Sequence, residues 1–166
     1  MKSILFFSVM LSVAGIVFSQ SEGDFTYEFV GSGSDRTVTI TKYTGNALDV
    51  VIPSHINGSP VTVIGRWCFS GSDITSIVFP NTLKEIGVGA FIGTKLTEVQ
   101  FPDSLEIIGM TAFGKCHNLE RINIPKNIKE IGPFAFDCTD LYGSLNVSVR
   151  NELIERFGED VFYCPL

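Results

Sequence analysis

The segment Thr97 to Leu119, TEVQFPDSLEIIGMTAFGKCHNL, is repeated along the chain with its landmarks in register. They are an apolar stretch ending in proline (Val99, Phe101, Pro102), then Leu105, the pair Ile108-Gly109, the pair Ala112-Phe113, Cys116 and Leu119. One frame earlier the same order reads Ile77, Phe79, Pro80, Leu83, Ile86, Gly87, Ala90, Phe91 and Leu96. One frame later it reads Ile122, Ile124, Pro125, Ile128, Ile131, Gly132, Ala135, Phe136, Cys138 and Leu141. No single copy can bury its own apolar face, so copies must stack on one another into a solenoid.

Each landmark has a physical reading. Val99 and Phe101 alternate inward, which predicts a short strand pairing with the same strand of the next coil. Proline lacks an N–H and ends that strand. Leu105 and Ile108 form the next inward pair, and the glycine after the isoleucine is read as a tight or positive-φ corner. Ala-Phe fits one helical or 3-10 turn, with the phenylalanine filling the coil. Stacking then predicts an axial ladder of Phe69, Phe91, Phe113 and Phe136.

The first coil carries an insertion. Pro53 and Gly65 are 12 residues apart, against 7 between proline and glycine in the other coils. The extra residues fall in 55–60, His-Ile-Asn-Gly-Ser-Pro, a turn sequence expected to project as a small loop or hairpin. Upstream, Phe25, Tyr27 and Phe29 alternate, and TVTIT follows over 37–41. Two strands joined at Gly31-Ser32-Gly33-Ser34 predict a hairpin over the open N-terminal end. Beyond Leu141 the pattern decays. Leu145 and Val147 read as a last strand, and Ser148 reads as the cap of a helix through Phe157 with Val149, Leu153, Ile154 and Phe157 on one face. Gly158 is its stop, with Val161, Phe162 and Tyr163 beneath.

Met1-Lys2, the uncharged apolar run Ile4 to Phe18, and the small residues Val17 and Ser19 predict a cleaved secretory signal over 1–19. That run is shorter than the roughly 20 residues a membrane span needs, and no other stretch qualifies. The expected organisation is thus signal peptide 1–19, N-terminal cap strands 20–49, solenoid 50–141 and C-terminal cap 142–166. Hydrophobic residues at 45% and charged ones at 18% suit a globular chain. A net charge of −6 with scattered Lys and Arg argues against nucleic-acid or anionic-membrane partners.

Cys68, Cys116, Cys138 and Cys164 belong, on this reading, to an oxidising compartment. Cys116 and Cys138 follow their phenylalanines by three and two residues, nearly the same place in adjacent turns. They are compatible with buried free thiols, with a bridge between neighbouring turns, or with a bridge from Cys138 to Cys164. Nothing predicts an enzyme, a cofactor or a metal site. The two histidines, His55 and His117, lack a convergent partner, and Cys116-His117 are adjacent residues that diverge on most backbones.

The landmarks resemble the BspA-like, or treponemal-type, leucine-rich repeat, whose pattern is a strand ending in Ile-Pro, then Leu-x-x-Ile-Gly-x-x-Ala-Phe, often with Cys and Leu after it. The match runs from Val50 to Leu141 in four coils. The first coil departs by Trp67-Cys68-Phe69 and its insertion, and the second has Gly93-Thr94 where Cys is usual. The resemblance implies an α/β repeat: a leucine-rich-repeat solenoid of about four coils, built of short parallel strands plus short helical or 3-10 turns, with a strand-hairpin cap and a helical cap. It also implies a secreted or cell-surface protein of a host-associated bacterium or a protozoan, whose larger relatives are adhesins binding matrix proteins and other cells.

The repeat landmarks are scaffold positions, so a contact surface must come from outward residues. On the proline-ended strands these are Asp49 and Val51, Ser76 and Val78, Glu98 and Gln100, and Arg121 and Asn123. They predict one exposed sheet face for a protein partner, a host matrix protein or a bacterial surface protein, on a chain expected to be monomeric. Glu98 and Arg121 read equally as a cross-strand pair. The alternative is a structural or self-associating envelope protein with no host ligand.

Overall fold

The computed structural model describes residues 22–142 and 147–162. The predicted signal over 1–19 lies outside them, as do Leu145, Tyr163 and Cys164. Strands β1 (Phe25–Val30) and β2 (Thr37–Tyr43) form the expected antiparallel hairpin. After it each coil contributes two short strands. The first set is β3 (Asp49–Val51), β6 (Ser76–Val78), β8 (Glu98–Val99) and β10 (Arg121–Ile122). The second is β5 (Ser59–Ile64), β7 (Glu85–Ile86), β9 (Ile107–Ile108) and β11 (Glu130–Ile131), preceded by β4 (His55–Ile56).

The longer sheet is built from the second set, in the order β1-β2-β5-β7-β9-β11 and parallel from β2 onward. The proline-ended strands stack as two parallel pairs, β3 with β6 and β8 with β10. The insertion joins the two scales of strand. Asn57 and Gly58 both have positive φ, 48° and 77°, the two-residue type I′ geometry that Asn-Gly favours. This turn folds β4 back on β5, pairing Ile56 with Ser59 and His55 with Pro60. Val61, Val63 and Ile64 of β5 then pair with the long β2 on one side, while only Val63 and Ile64 pair with β7 on the other.

The Ala-Phe arc, expected as one helical or 3-10 turn, is a run of overlapping β-turns. In the first coil Cys68 N–H donates to Gly65 O, Ser70 to Trp67 O and Ser72 to Phe69 O. The bonds span three residues as in a 3-10 helix, but positive φ at Trp67 (57°) and Gly71 (68°) interrupts any helical path. Those reversals turn the intervening N–H groups along the solenoid axis. Trp67, Phe69 and Gly71 donate to Val88, Ala90 and Ile92 of the next coil at 3.1, 2.7 and 2.9 Å. The pattern repeats from Gly89, Phe91 and Gly93 to Met110, Ala112 and Gly114.

The glycine after the isoleucine is therefore not the positive-φ residue, which falls two positions later. Its role is close approach. A Cβ on Gly109 would lie 2.7 Å from Val88 N, and one on Gly132 would lie 2.5 Å from Met110 N. Coils packed this closely leave no room for a methyl group.

Inside, Phe69, Phe91, Phe113 and Phe136 are buried and stack at centroid separations of 4.8, 5.1 and 5.7 Å. Phe79 and Phe101 form a second column at 6.1 Å, meeting Phe91 and Phe113 edge-on. The ladder continues into both caps, with Tyr43 stacked on Phe69 at 4.9 Å and Phe162 tilted on Phe136 at 6.0 Å.

At the C-terminal end the helix α1 (Val147–Phe157) is present, but two local expectations change. Val147 belongs to the helix rather than to a strand; at 53% exposure it has no inward place to fill. Ser148 lies inside the first turn and so cannot be its cap. Leu153 is buried, and Val149, Ile154 and Phe157 pack against the core. Gly158 (φ 88°) ends the helix, its N–H donating to Ile154 O at 2.9 Å. The next residues complete an arc. Asp160 and Val161 offer carbonyls to Phe134 and Phe136 N–H, so Val161-Phe162 stand where Ala135-Phe136 stand one coil earlier.

The one-residue difference between Cys116 and Cys138 matters more than the spacing suggested. Cys116 falls in the column of Ser72, Thr94 and Thr139, buried, with its thiol donating to Phe91 O at 3.1 Å. Cys138 falls at the positive-φ position of Gly71, Gly93 and Lys115. Cys138 is disulfide-bonded, whereas Cys68 and Cys116 are free, so no bridge joins Cys116 to its neighbouring coil.

Three substitutions test this account by urea denaturation. Phe113→Ala empties the middle of the ladder and should cost about 3–5 kcal/mol. Gly109→Ala drives a methyl group into the backbone of the coil below and should cost about 3 kcal/mol or more. Gly93→Ala faces open space at φ 70° and should cost only about 1–2 kcal/mol.

Candidate functional site

The eight outward residues fall into two columns on one side of the solenoid. Pairing aligns Asp49 with Ser76, Val51 with Val78, and Glu98 with Arg121. Gln100 and Asn123 follow two residues beyond Glu98 and Arg121, extending the second column. Inward neighbours Val50, Ile77, Val99 and Ile122 are buried, which fixes the outward direction of the set.

Cross-coil bonds order this face. Ser76 Oγ donates to Asp49 Oδ1 at 2.6 Å. Arg121 Nε and Nη2 donate to Glu98 Oε2 at 3.1 and 3.0 Å, and Nη1 donates to Glu120 Oε2 at 3.3 Å. Gln100 Nε2 donates to Glu98 Oε1 at 2.9 Å. Hydrogen bonds from Gln100 and from Arg121 hold the Glu98 carboxyl below its ordinary range. Asn123 does a backbone's work: its Oδ1 accepts from Phe101 N–H at 2.6 Å and its Nδ2 donates to Phe101 O at 2.9 Å. The β8–β10 ladder stops one residue earlier, and the amide side chain replaces the missing peptide partner.

The two free cysteines, Cys68 and Cys116, lie in the core. Burial pushes the Cys68 thiol up to about 12, against the opposing Tyr43 backbone bond, and raises the Cys116 thiol as well. Cys116 is buried while the adjacent His117 is exposed, so the two do not act together. Among the described residues no group of three or more His, Cys, Asp or Glu is placed to hold a metal ion, and no helix is long and apolar enough to cross a membrane.

Comparison with known proteins follows the same geometry. A family model for the BspA type leucine rich repeat region matches residues 49–165 in six copies. The chain belongs to the BspA-type leucine-rich-repeat family. It is similar to a solved leucine-rich-repeat protein of T. pallidum at 30% identity, covering 74% of this chain and 69% of that one, with a TM-score of 0.55. A leucine-rich-repeat protein from Bacteroides capillosus is similar at 25% identity over 89% of this chain and 98% of that one, TM-score 0.61. The pneumococcal vaccine antigen PcpA shares the fold at 19% identity, over 77% of this chain and 43% of its own, TM-score 0.52. Among curated proteins no relative matches the chain.

For a BspA-type repeat the face carries two residues that sequence reading passed over. Leu48, 53% exposed, precedes Asp49, and its carbonyl accepts from Thr75 N–H at 2.7 Å. The equivalent residues are Thr75, Thr97 and Glu120, so a leucine among polar equivalents was the available signal. Glu120 was missed because it faces Arg121 from the same coil rather than from across the ladder. Trp67, half exposed, lies away from this face, on the turn arc, where its ring covers Gly89.

The depressed Glu98 carboxyl sets a sign. Its pair contributes stability that is complete above the ordinary glutamate pKa, about 4.3, and is lost as pH falls through the lower folded value. In a carbon-detected NMR titration, Gln100→Ala and Arg121→Ala should each raise the Glu98 midpoint toward that ordinary value.

Proposed function

We propose that this chain is a secreted or cell-surface protein-binding module, without enzymatic activity, whose contact surface is the face of the proline-ended strands. The reading rests on one observation: outward side chains from four successive coils lie on that side, in register within each of two strand pairs, and side-chain bonds already hold several of them in place. A pre-ordered surface loses less side-chain entropy on binding than a mobile one. The partner on this reading is a host matrix protein or a bacterial surface protein, and adhesion is the biological outcome.

A second reading, self-association within an envelope, draws on a different feature. β1 is the edge strand of the longer sheet, and Phe29 and Val30 on it are exposed. Such an edge pairs with another chain unless something blunts it. Both ends of the solenoid carry caps, which disfavours stacking into filaments.

Residues 20–166 should be tested against purified matrix proteins and an extract of the producing cell's envelope. Capture of a matrix protein, lost when Glu98 and Arg121 are reversed together (Glu98→Arg with Arg121→Glu), is the expected result. Binding unchanged by that reversal would remove the strand face from the interaction. Oligomers that grow with concentration in size-exclusion chromatography would favour the second reading over a monomeric module.

A further inference from the structure

The longer sheet carries a cleft of its own, apart from the face of the proline-ended strands. Glu28 stands in register with Thr39, Thr39 with Val63, and Val63 with Glu85, one row across β1, β2, β5 and β7. The inward neighbours Val38, Ile40, Ile64 and Ile86 are buried, which turns the row to solvent. Gly65 and Gly87 follow two residues after Val63 and Glu85. Without side chains they leave a depression of about 390 Å³, which Arg66 also lines. We propose that this cleft is a second binding site, separate from the strand face, and that it takes a neutral oligosaccharide.

The charges decide the class of ligand. Glu28, Glu85 and Arg66 all line the cleft, yet among the described residues their side chains make no hydrogen bond or ion pair. Elsewhere on the solenoid opposite charges on neighbouring coils do pair, as Lys84 with Glu106, Lys95 with Asp73 and Lys126 with Asp103. Arg66 and Glu85 also belong to neighbouring coils and stay unpaired. A cationic ligand here would meet Arg66, and an anionic one would meet two carboxylates. Hydroxyl groups both donate and accept. A polyol therefore gives to Glu28 and Glu85 while it takes from Arg66, and each of those bonds is strengthened by the charge on the protein side. The Thr39 hydroxyl in the same row has no partner either.

Extent and an aromatic neighbour narrow the class further. From β1 to β7 is three strand spacings, about 14 Å, so a ligand reaching both carboxylates is a short chain of sugar rings rather than one. Beside Arg66 stands Trp67, the single tryptophan of the chain, half exposed and with its ring laid on Gly89. Gly89 is two residues on from Gly87, a backbone span of about 7 Å at most, so the ring flanks that end of the cleft. The C–H face of a pyranose ring packs on an aromatic face, whose negative quadrupole attracts those hydrogens. A small zwitterion would answer the charges and leave Trp67 and Thr39 unused.

Because Trp67 is the chain's single tryptophan, its intrinsic fluorescence reads this site without a label. The chain is titrated with neutral trisaccharides of glucose, mannose, galactose and N-acetylglucosamine. Spermidine, citrate and trialanine serve as cationic, anionic and zwitterionic probes, and every titration is run at low and at high salt. The expected result is a change in Trp67 emission with at least one trisaccharide, at an affinity that salt leaves unaltered because the ligand is uncharged. Arg66→Gln and Glu85→Gln should each weaken that binding roughly fivefold to tenfold. Glu155→Gln, at an exposed site on α1, should leave it unchanged. Trp67→Ala, followed by calorimetry, should weaken it as well. A response to a charged probe that fades with salt, with none to the sugars, would make the cleft a site for charged ligands and overturn the inference. A sugar response that Arg66→Gln and Glu85→Gln leave intact would overturn it too, as would silence from every probe. None of these outcomes bears on the strand-face reading, which stands or falls on the reversal of Glu98 and Arg121.

Discussion

Most of the described backbone lies outside regular secondary structure, and its peptide groups still need partners. The Ala-Phe arc solves the problem by alternation. One N–H closes a local turn, and the next points along the axis to the carbonyl of the following coil. That alternation requires two positive-φ residues per coil. It also brings successive coils so close that the residue after the isoleucine must lack a Cβ. The phenylalanine separations of 4.8 to 5.7 Å follow from the same closeness, since the rings stack at nearly the spacing of hydrogen-bonded strands. The ladder is a consequence of how the peptides are satisfied.

The ends obey the same constraint. The last arc still has N–H groups that point forward, and the chain meets them by crossing over as a helix and returning with Asp160 and Val161 carbonyls. Phe162 then covers Phe136 as a further rung. At the other end Tyr43 N–H donates to Cys68 O and its ring covers Phe69. Each cap is thus a partial coil that supplies both a peptide partner and an aromatic lid. The insertion at Asn57-Gly58 serves the N-terminal junction by lengthening β5 to the scale of the hairpin.

The sequence made the architecture legible because inward residues repeat: proline, Ile-Gly, Ala-Phe and the phenylalanine ladder were all readable in register. The conformation of the arc was not, since its positive-φ sites are filled by Trp67, Gly89, Thr111 and Phe134 in one column and by Gly71, Gly93, Lys115 and Cys138 in the other. Only some of these are glycine, so no single residue type announces the turn. The same offset misled the reading of Cys116 and Cys138, where one position separates an inward column from a turn. The outward set was predictable from strand alternation, but the tethering of Asn123 to Phe101 was not, because it depends on where the β8–β10 ladder ends. Leu48 could have been read from its column and was hidden by lying one residue before the strand.

The two sides of each coil run their hydrogen bonds in opposite senses. In the arc, Phe69 and Phe91 donate forward, to Ala90 and Ala112. Along the longer sheet Gly87 and Gly109 donate backward, to Ile64 and Ile86. Peptide dipoles on one flank therefore oppose those on the other. An α-helix gathers partial charge at its termini and can draw an ion there. A solenoid wired this way accumulates no such axial charge, however many coils are added. Long-range attraction to such a solenoid then comes from ionised side chains rather than from its backbone.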